Sequence, residues 1–191
     1  MSFSLDRVVV VPKLIGNPDD FLFVSALAGA TRDMVQLTCD GPNCFGLGGV
    51  MGMTLSIGLG LALARTDRRV MVVAGDGDVL MGVGTLATIA IMNPPNLSIL
   101  CVDNGLYQET GSQATPTARG ADIEKMAQGA GLQSTWTVRT EADIGRGAQM
   151  LRNGAETSLV VLRASSNLAP RLPRVMDAAV ARARFRKAAF R

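Results

Sequence analysis

Two short segments of the chain carry side chains that can hold a metal ion beside a phosphate. Gly75-Asp76-Gly77 follows an apolar run, and Asn104 follows a second apolar run 28 positions after Asp76. A carboxylate and an amide oxygen are hard oxygen ligands suited to Mg²⁺, which usually shares its coordination shell with phosphates. The glycines let the backbone approach a phosphate, and a helix starting near Asp78 would supply free N–H groups. The two segments together predict a binding site for a metal ion and a diphosphate.

The same residues also allow a simpler, purely structural interpretation. Gly75-Asp76-Gly77-Asp78 could be only a tight turn capped by an aspartate. It does not fit other phosphate or metal motifs, because Leu80 stands where a dinucleotide fingerprint needs glycine, and no GK[ST] or EF-hand glutamate follows. The spacing to Asn104 is close to the roughly 30-residue length of a strand–helix–strand unit, and it favours the metal–diphosphate site.

The composition limits what else the chain can do. It has 191 residues, 48% of them apolar and 18% charged, which excludes a disordered chain. It contains no histidine, so it cannot form a Ser-His-Asp triad, a Cys-His pair or an HExxH zinc site by itself. Acid–base chemistry must therefore come from carboxylates, a cofactor or another polypeptide. Three cysteines without CxxC spacing and no signal peptide indicate reduced thiols in a cytoplasmic protein.

Alternating strand and helix patterns must position these residues. We predict strands at 21–25, 70–74, 97–102, 134–138 and 158–163, and helices at 53–64, 79–92, 122–131, 141–153 and 176–190. Residues 28–30 are predicted as a turn and 106–120 as a polar loop. This order predicts one α/β domain over residues 1–191, a doubly wound parallel sheet with helices on both faces. Right-handed crossovers would bring Asp76 and Asn104 to the same sheet edge, where ligands bind.

A long uncharged stretch raises the question of a membrane span. No residue from 41 to 64 is charged, but seven of these 24 residues are glycines, and only 53–64 is helical and apolar throughout. Twelve residues are too few to cross a bilayer. Gly52, Ser56 and Gly60 recur at a spacing of four, which suits a buried helix or a membrane dimer. We favour the buried helix and expect no membrane contact.

The positive charge of the chain is concentrated at its C-terminal end. Residues 170–191 contain seven basic residues and one acidic residue, whereas the remainder is acidic overall. A basic helix can touch nucleic acid, but it is more often solvated or docked on a partner. We expect a basic C-terminal helical tail at about 170–191 and no nucleic-acid partner.

The longer stretch GDGDVLMGVGTLATIA…NLSILCVDNGLYQETGSQATPT resembles the thiamine diphosphate signature of the sulfopyruvate and phosphonopyruvate decarboxylases. The similarity extends from about residue 21 to 163, which is the diphosphate-binding (PP-type) domain of that family. The resemblance implies thiamine diphosphate and Mg²⁺ as cofactors and the thiamine diphosphate-binding fold. It also implies decarboxylation of a small 2-oxoacid.

The resemblance also implies roles for individual residues. Asp76, the side-chain oxygen of Asn104 and the backbone carbonyl of Leu106 would hold Mg²⁺. The Gly49 carbonyl would accept a hydrogen bond from the aminopyrimidine, and Met51 would be the apolar wedge that bends the cofactor so that it abstracts its own proton. Without the resemblance, Met51 could simply fill the core. The other implied cofactor-binding residues are Gly75, Gly77, Asp78 and Tyr107.

Some positions depart from the family pattern. Asp78 stands where the family usually has Ser or Ala, so it either turns away from the diphosphate and caps the helix or weakens cofactor binding. Gln108 and Glu109 replace smaller residues, which leaves the identity of the 2-oxoacid open. Thr110, Gly111 and Gln113 match the family and are expected at the substrate entrance.

The resemblance finally implies a partner. In the family, the glutamate that activates the cofactor belongs to a pyrimidine-binding domain, whereas this sequence starts almost directly with the diphosphate-binding domain. We therefore expect one subunit of a split enzyme, a hetero-oligomer built on dimers, with a separate pyrimidine-binding (alpha) subunit that supplies the glutamate. The alternatives are an acetolactate synthase-like carboligase, a 2-oxoacid oxidoreductase subunit, a non-catalytic cofactor-binding subunit and a basic-tailed interaction protein. Three scattered cysteines disfavour the oxidoreductase, because they cannot ligate an iron–sulfur cluster.

Overall fold

Six parallel strands form the central sheet of the computed structural model, which describes residues 4–190. In spatial order they are β2, β1, β3, β4, β8 and β7, and a separate two-stranded hairpin pairs β5 with β6. Arg191, one of the basic residues of the tail, lies outside the described residues. The strands are β1 Phe21–Ser25, β2 Cys44–Gly46, β3 Arg69–Gly75, β4 Leu97–Asp103, β5 Leu106–Tyr107, β6 Gln113–Ala114, β7 Ser134–Val138 and β8 Ser158–Arg163.

Helices cover both faces of the sheet. Helices α1, α2 and α7 pack on one face and α3 to α6 on the other, while α8 lies beside the edge strand β2. The helices are α1 Arg7–Ile15, α2 Gly29–Thr38, α3 Thr54–Ala64, α4 Asp76–Met81, α5 Thr85–Met92, α6 Ile123–Gly129, α7 Ile144–Arg152 and α8 Ala178–Ala189. This arrangement confirms the predicted doubly wound α/β fold.

The carboxyl ends of the two central strands, β3 and β4, determine where the candidate site lies. Every residue of β4 is buried, as expected for an apolar run covered on both faces. Strand β3 pairs with β4 in parallel register from Val70↔Leu97 to Gly75↔Val102. Both strands therefore end at the same height, and the residues that follow them, Asp76 and Asn104, share one edge of the sheet.

The prediction of a single helix over 79–92 was wrong, because this segment contains two helices, α4 and α5, separated at 82–84. A Cβ atom at Gly82 would collide with the backbone carbonyl of Gly52, so the chain turns where the glycine-rich loop crosses it. The predicted turn at 28–30 was also wrong, since α2 begins at Gly29. Helix α1 and strand β2 were not predicted.

The C-terminal part of the uncharged stretch forms helix α3, which packs on the sheet with five of its eleven residues buried, whereas Gly60 of the predicted small-residue face is exposed. Helix α3 contacts β3 so closely that a Cβ atom at Gly58 would overlap the Val72 side chain. Within residues 4–190, no helix is long and apolar enough to cross a membrane. The basic tail includes the predicted helix, α8, whose N-cap Asp177 accepts hydrogen bonds from the N–H groups of Ala179 and Val180.

Candidate functional site

A cavity of about 340 Å³ opens at the carboxyl ends of β1, β3 and β4. The chain leaves β1 toward one face of the sheet and β3 toward the other, which creates the crevice where doubly wound folds bind ligands. Three groups of residues line the cavity: the loop after β1 with the start of α2 (26–30), the glycine-rich loop (Gly49, Met51), and the segments after β3 and β4 (75–78, 104 and 106–110).

Asp76 is the central acidic group of the cavity. It lies at the start of α4 with only 2% of its surface exposed, and one carboxylate oxygen accepts hydrogen bonds from the hydroxyls of Thr115 (2.5 Å) and Thr117 (3.0 Å). Burial, together with the negative charge of Asp103, raises the pKa of Asp76 to about 6, although the two threonines oppose the shift. A cation beside Asp76 would relieve this unfavourable burial of charge.

Asp103 lies close to Asp76, and both carboxylates are within hydrogen-bond distance of Thr117. Asp103 forms an ion pair with Arg163 and accepts hydrogen bonds from the Thr117 hydroxyl (2.8 Å) and the Gly105 N–H (3.0 Å). The single Thr117 hydroxyl is within hydrogen-bond distance of both carboxylates and donates to one of them at a time. Neither threonine contacts the other oxygen of Asp76. Sequence reasoning missed this support, although the side chains concerned lie in or near the stretch that carried the motif.

Asn104 is held so that its side-chain oxygen points along the loop. Its Nδ2 donates to Gln108 Oε1, and its Oδ1 accepts from the Leu106 N–H (3.1 Å). Gln108 in turn donates to the Ser166 carbonyl (2.6 Å). Gln108, which departs from the family pattern, thus fixes the orientation of the Asn104 amide.

Gly77 lies where two side chains cross the first turn of α4. A Cβ atom there would collide with the Tyr107 ring and would lie 3.1 Å from the Met51 methyl group. Met51 and Tyr107 thus meet over Gly77 and form an apolar wall of the cavity. Only glycine allows this approach, and the two side chains bury Gly77.

Asp78 turns toward the glycine-rich loop. Its Oδ1 accepts a hydrogen bond from the Gly52 N–H (2.7 Å). Burial raises the pKa of Asp78, and the hydrogen bonds from the Gly52 N–H and the Thr54 side chain oppose the shift. Asp78 therefore ties the loop that carries Met51 to α4. The expected helix cap by Asp78 was wrong, because no side chain caps α4, and its effect on cofactor binding stays a prediction.

Arg7 adds a positive charge that sequence reasoning missed. It is 97% buried and binds both Asp33 carboxylate oxygens through Nε (3.0 and 3.1 Å), while its Nη2 lies 2.5 Å from one of them. The remaining nitrogen, Nη1, lies beside Gly29 in the cavity wall, where α2 begins without a side-chain cap. A guanidinium and a helix N-terminus both favour an anion. Only the folding of α1 against α2 brings Arg7 here, and no local motif marks it.

The residues present fit a magnesium–diphosphate. Asp76, Asn104 and the Leu106 carbonyl offer three oxygen ligands, and the described part of the chain contains no cluster of three His, Cys, Asp or Glu that could hold a metal alone. Such a set leaves coordination positions for phosphate oxygens. Across the cavity lie the uncapped start of α2 and Arg7, whose charge is paired with Asp33.

The structure brings most of the predicted site residues together. Thr110 lies at the edge of the cavity, whereas Gly111 and Gln113 are exposed and outside its lining. Gln113 accepts a hydrogen bond from the Thr110 hydroxyl (3.0 Å), and the substrate role of all three stays a prediction. The predicted cofactor residues that line the cavity are Gly49, Met51, Gly75, Asp76, Gly77, Asp78, Asn104, Leu106 and Tyr107.

Comparisons with known proteins identify the family of this chain. The family described as thiamine pyrophosphate enzyme, C-terminal TPP binding domain, matches residues 31–162. The sulfopyruvate decarboxylase subunit beta of Methanocaldococcus jannaschii is 36% identical over 136 residues, covering 71% of this chain and 70% of that protein. The phosphonopyruvate decarboxylase of Streptomyces viridochromogenes is 33% identical over 94% of this chain, which spans only 45% of that protein.

A solved structure shows the same fold. The thiamine diphosphate-dependent 4-hydroxybenzoylformate decarboxylase of Rhodococcus jostii RHA1 superimposes with a TM-score of 0.70 at 22% identity. The superposition covers 87% of this chain and 34% of that one. At this level of identity, the likeness supports the fold alone.

Proposed function

The chain belongs to the family of thiamine pyrophosphate enzyme C-terminal TPP binding domains, and on that basis we propose that it is the diphosphate- and Mg²⁺-binding subunit of a split 2-oxoacid decarboxylase. The observation that carries the proposal is the convergence of Asp76, Asn104 and Leu106 at one cavity. Three relatives are named as beta subunits of sulfopyruvate decarboxylase, and two others as phosphonopyruvate decarboxylases. The substrate would be a small 2-oxoacid of this kind.

In this proposal the chain holds the cofactor at both ends of its diphosphate. Asp76, the Asn104 side-chain oxygen and the Leu106 carbonyl hold Mg²⁺. The N–H groups of Gly77 and Asp78 hold the diphosphate from the side of α4. Arg7 and the N-terminus of α2 complete the anion site from the opposite wall.

The cavity wall would serve the reacting end of the cofactor. When bound, thiamine diphosphate supplies the electron sink for decarboxylation. Met51 would support the cofactor and exclude water, and the Gly49 carbonyl would accept a hydrogen bond from its aminopyrimidine. The Asp78–Gly52 hydrogen bond keeps this loop against α4. The absence of histidine from the sequence agrees with a reaction in which the cofactor carries the proton chemistry.

A partner subunit would supply the activating glutamate. Next to the cavity, several apolar side chains of the glycine-rich loop and of α4 and its C-terminal turn are exposed, namely Val50 (46%), Met53 (48%), Met81 (68%) and Val83 (39%). Exposed apolar groups of this size indicate an interaction surface. We propose that a pyrimidine-binding alpha subunit covers them and that the complex is a hetero-oligomer built on dimers. The cytoplasmic location stays a prediction. The three cysteines of the chain are free thiols.

Cofactor binding tests the proposal directly. Asp76→Ala should abolish Mg²⁺-dependent binding of thiamine diphosphate, measured by calorimetry on the two-subunit complex. Asp67→Ala is the matched control, because Asp67 is an exposed aspartate paired with Arg65 and lies outside the cavity. Undiminished binding by Asp76→Ala would refute the site. A complex that binds the cofactor but releases no CO₂ from any 2-oxoacid would favour the non-catalytic alternative.

A further inference from the structure

Residues 48–52, the part of the glycine-rich loop that reaches the cofactor cavity, are held to the rest of the chain by few contacts. A Cβ atom at Gly49 would meet no atom within 4 Å beyond its chain neighbours. In the part of the chain that the structure describes, one hydrogen bond joins this segment to a helix or strand, and it runs from the Gly52 N–H to the Asp78 carboxylate (2.7 Å). Met51, which lines the cavity, directly precedes Gly52. The position of Met51 therefore depends on Asp78.

The Asp78 carboxylate lies where three parts of the chain meet. Asp78 belongs to α4, is only 5% exposed, and accepts its hydrogen bond from the loop. The buried side chain of Thr54, the first residue of α3, interacts with the same carboxylate and stabilises its charged form. The N-cap residue of α3, Met53, provides no side-chain hydrogen bond, so a negative charge near this helix end is favourable. Asp78 thus stabilises the loop and the start of α3 together.

The backbone at Gly52 fits closely against α4 and the turn that follows it. Gly52 has a φ of +83°, which favours glycine, and a Cβ atom there would lie 2.8 Å from the Met81 side chain. A Cβ atom at Gly82 would collide with the Gly52 carbonyl oxygen. On the neighbouring residue, the Met51 methyl group lies next to Gly77. A movement of Gly52 away from α4 would therefore also move Met51 out of the cavity wall.

We propose that Asp78 is a positioning residue, which holds Met51 and the Gly49 carbonyl in place before the cofactor binds and so strengthens cofactor binding. The inference rests on the proposed function, which assigns Met51 and Gly49 to the cofactor. The charge of Asp78 beside a diphosphate would by itself weaken binding. Its hydrogen bond acts in the opposite direction, because a loop that is ordered in advance does not have to be ordered when the cofactor binds. Removal of the Asp78 side chain should therefore weaken cofactor binding.

NMR of the full chain without cofactor tests whether Asp78 orders the loop. In Asp78→Ala, the Gly52 amide should exchange its hydrogen about tenfold faster, and the order parameter of the Met51 methyl group should fall. Asp78→Asn should restore both values, because its amide oxygen can still accept the hydrogen bond from the loop. Asp122→Ala is the matched control, since Asp122 accepts a hydrogen bond from the Lys125 N–H (3.1 Å) outside the cavity. An unchanged Met51 order parameter in Asp78→Ala, or an equal fall in Asp122→Ala, would overturn the proposal.

Calorimetry on the two-subunit complex gives the sign of the effect on the cofactor. Asp78→Ala should weaken Mg²⁺-dependent binding of thiamine diphosphate by about tenfold, whereas Asp78→Asn and Asp122→Ala should bind it at least as tightly as the wild type. Equal or tighter binding by Asp78→Ala would mean that the carboxylate mainly repels the diphosphate, and would overturn the proposal. A more mobile Met51 in Asp78→Ala, combined with undiminished cofactor binding by Asp76→Ala, would support the role of Asp78 in the loop and refute the proposed function.

Discussion

Replacing Asp76 by asparagine should make the metal-free chain more stable while it destroys the proposed metal site. Asparagine has nearly the same volume, and its amide oxygen can still accept the hydrogen bonds from Thr115 and Thr117. The substitution removes a negative charge that is buried next to Asp103. Functional sites often carry such a cost, because the charge is needed for a ligand that is absent from the free protein.

The pKa of Asp76 sets the expected magnitude. Folding raises this pKa from 3.8 to about 6, so the folded chain binds the proton more tightly than the unfolded chain between these values. The free energy of unfolding therefore decreases as the pH rises through this window, by roughly 3 kcal/mol at about 1.4 kcal/mol per pKa unit. Asp76→Asn has no titrating carboxyl group and so avoids this decrease in the free energy of unfolding. The variant should therefore be more stable than the wild type by up to roughly 3 kcal/mol at pH 8, and equally stable near pH 4.

Urea unfolding in the presence of EDTA measures this difference. At pH 8 we expect the midpoint of Asp76→Asn to lie higher by roughly 1 M. The control Asp67→Asn removes an equal charge from an exposed position, where the pKa is lowered to about 2 by Arg65, and should give no such gain. A variant that is equally stable or less stable than the wild type at pH 8 would show that Asp76 is not held at an energetic cost.

Three further predictions concern the site and the tail. Mg²⁺-dependent binding of thiamine diphosphate should weaken by up to about tenfold per pH unit below pH 6, because a proton on Asp76 competes with the metal. Calorimetric affinities that do not change between pH 5 and 7 would contradict this. Gly77→Ala should destabilise the chain by about 1–3 kcal/mol through its clash with Tyr107, and adding Tyr107→Ala should recover most of the loss; denaturation that shows no recovery would refute the clash. Phe185→Ala should cost about 3 kcal/mol by removing the contact with Phe45, and an unchanged unfolding midpoint would mean that α8 is not anchored there.

The motif could be predicted from sequence because its parts are local. Asp76 and Asn104 each follow an apolar run that can only be a buried strand, and parallel strands place both residues at one edge. The five strands predicted from these patterns are all present in the structure. Local residue order was therefore sufficient to find the core of the candidate site.

Features that depend on distant contacts could not be predicted in this way. Arg7 reaches the cavity only because α1 packs against α2, and nothing in residues 4–15 indicates a ligand. The break between α4 and α5 arises where Gly82 meets the carbonyl of Gly52, thirty residues earlier in the chain. The position of α8 likewise depends on Phe185 packing against Phe45, a residue far away in the sequence. In each case the sequence shows the residue but not its neighbour.

Release of CO₂ by the separated and recombined subunits is the most direct test of a split decarboxylase. The chain would be purified alone and also co-expressed with the product of the neighbouring open reading frame, then supplied with Mg²⁺, thiamine diphosphate and sulfo-, phosphono- and simple 2-oxoacids. We predict that the chain alone releases no CO₂ and that the complex does so only when Asp76 is intact. Turnover of any 2-oxoacid by the chain alone would contradict the claim that this protein carries half of the active site.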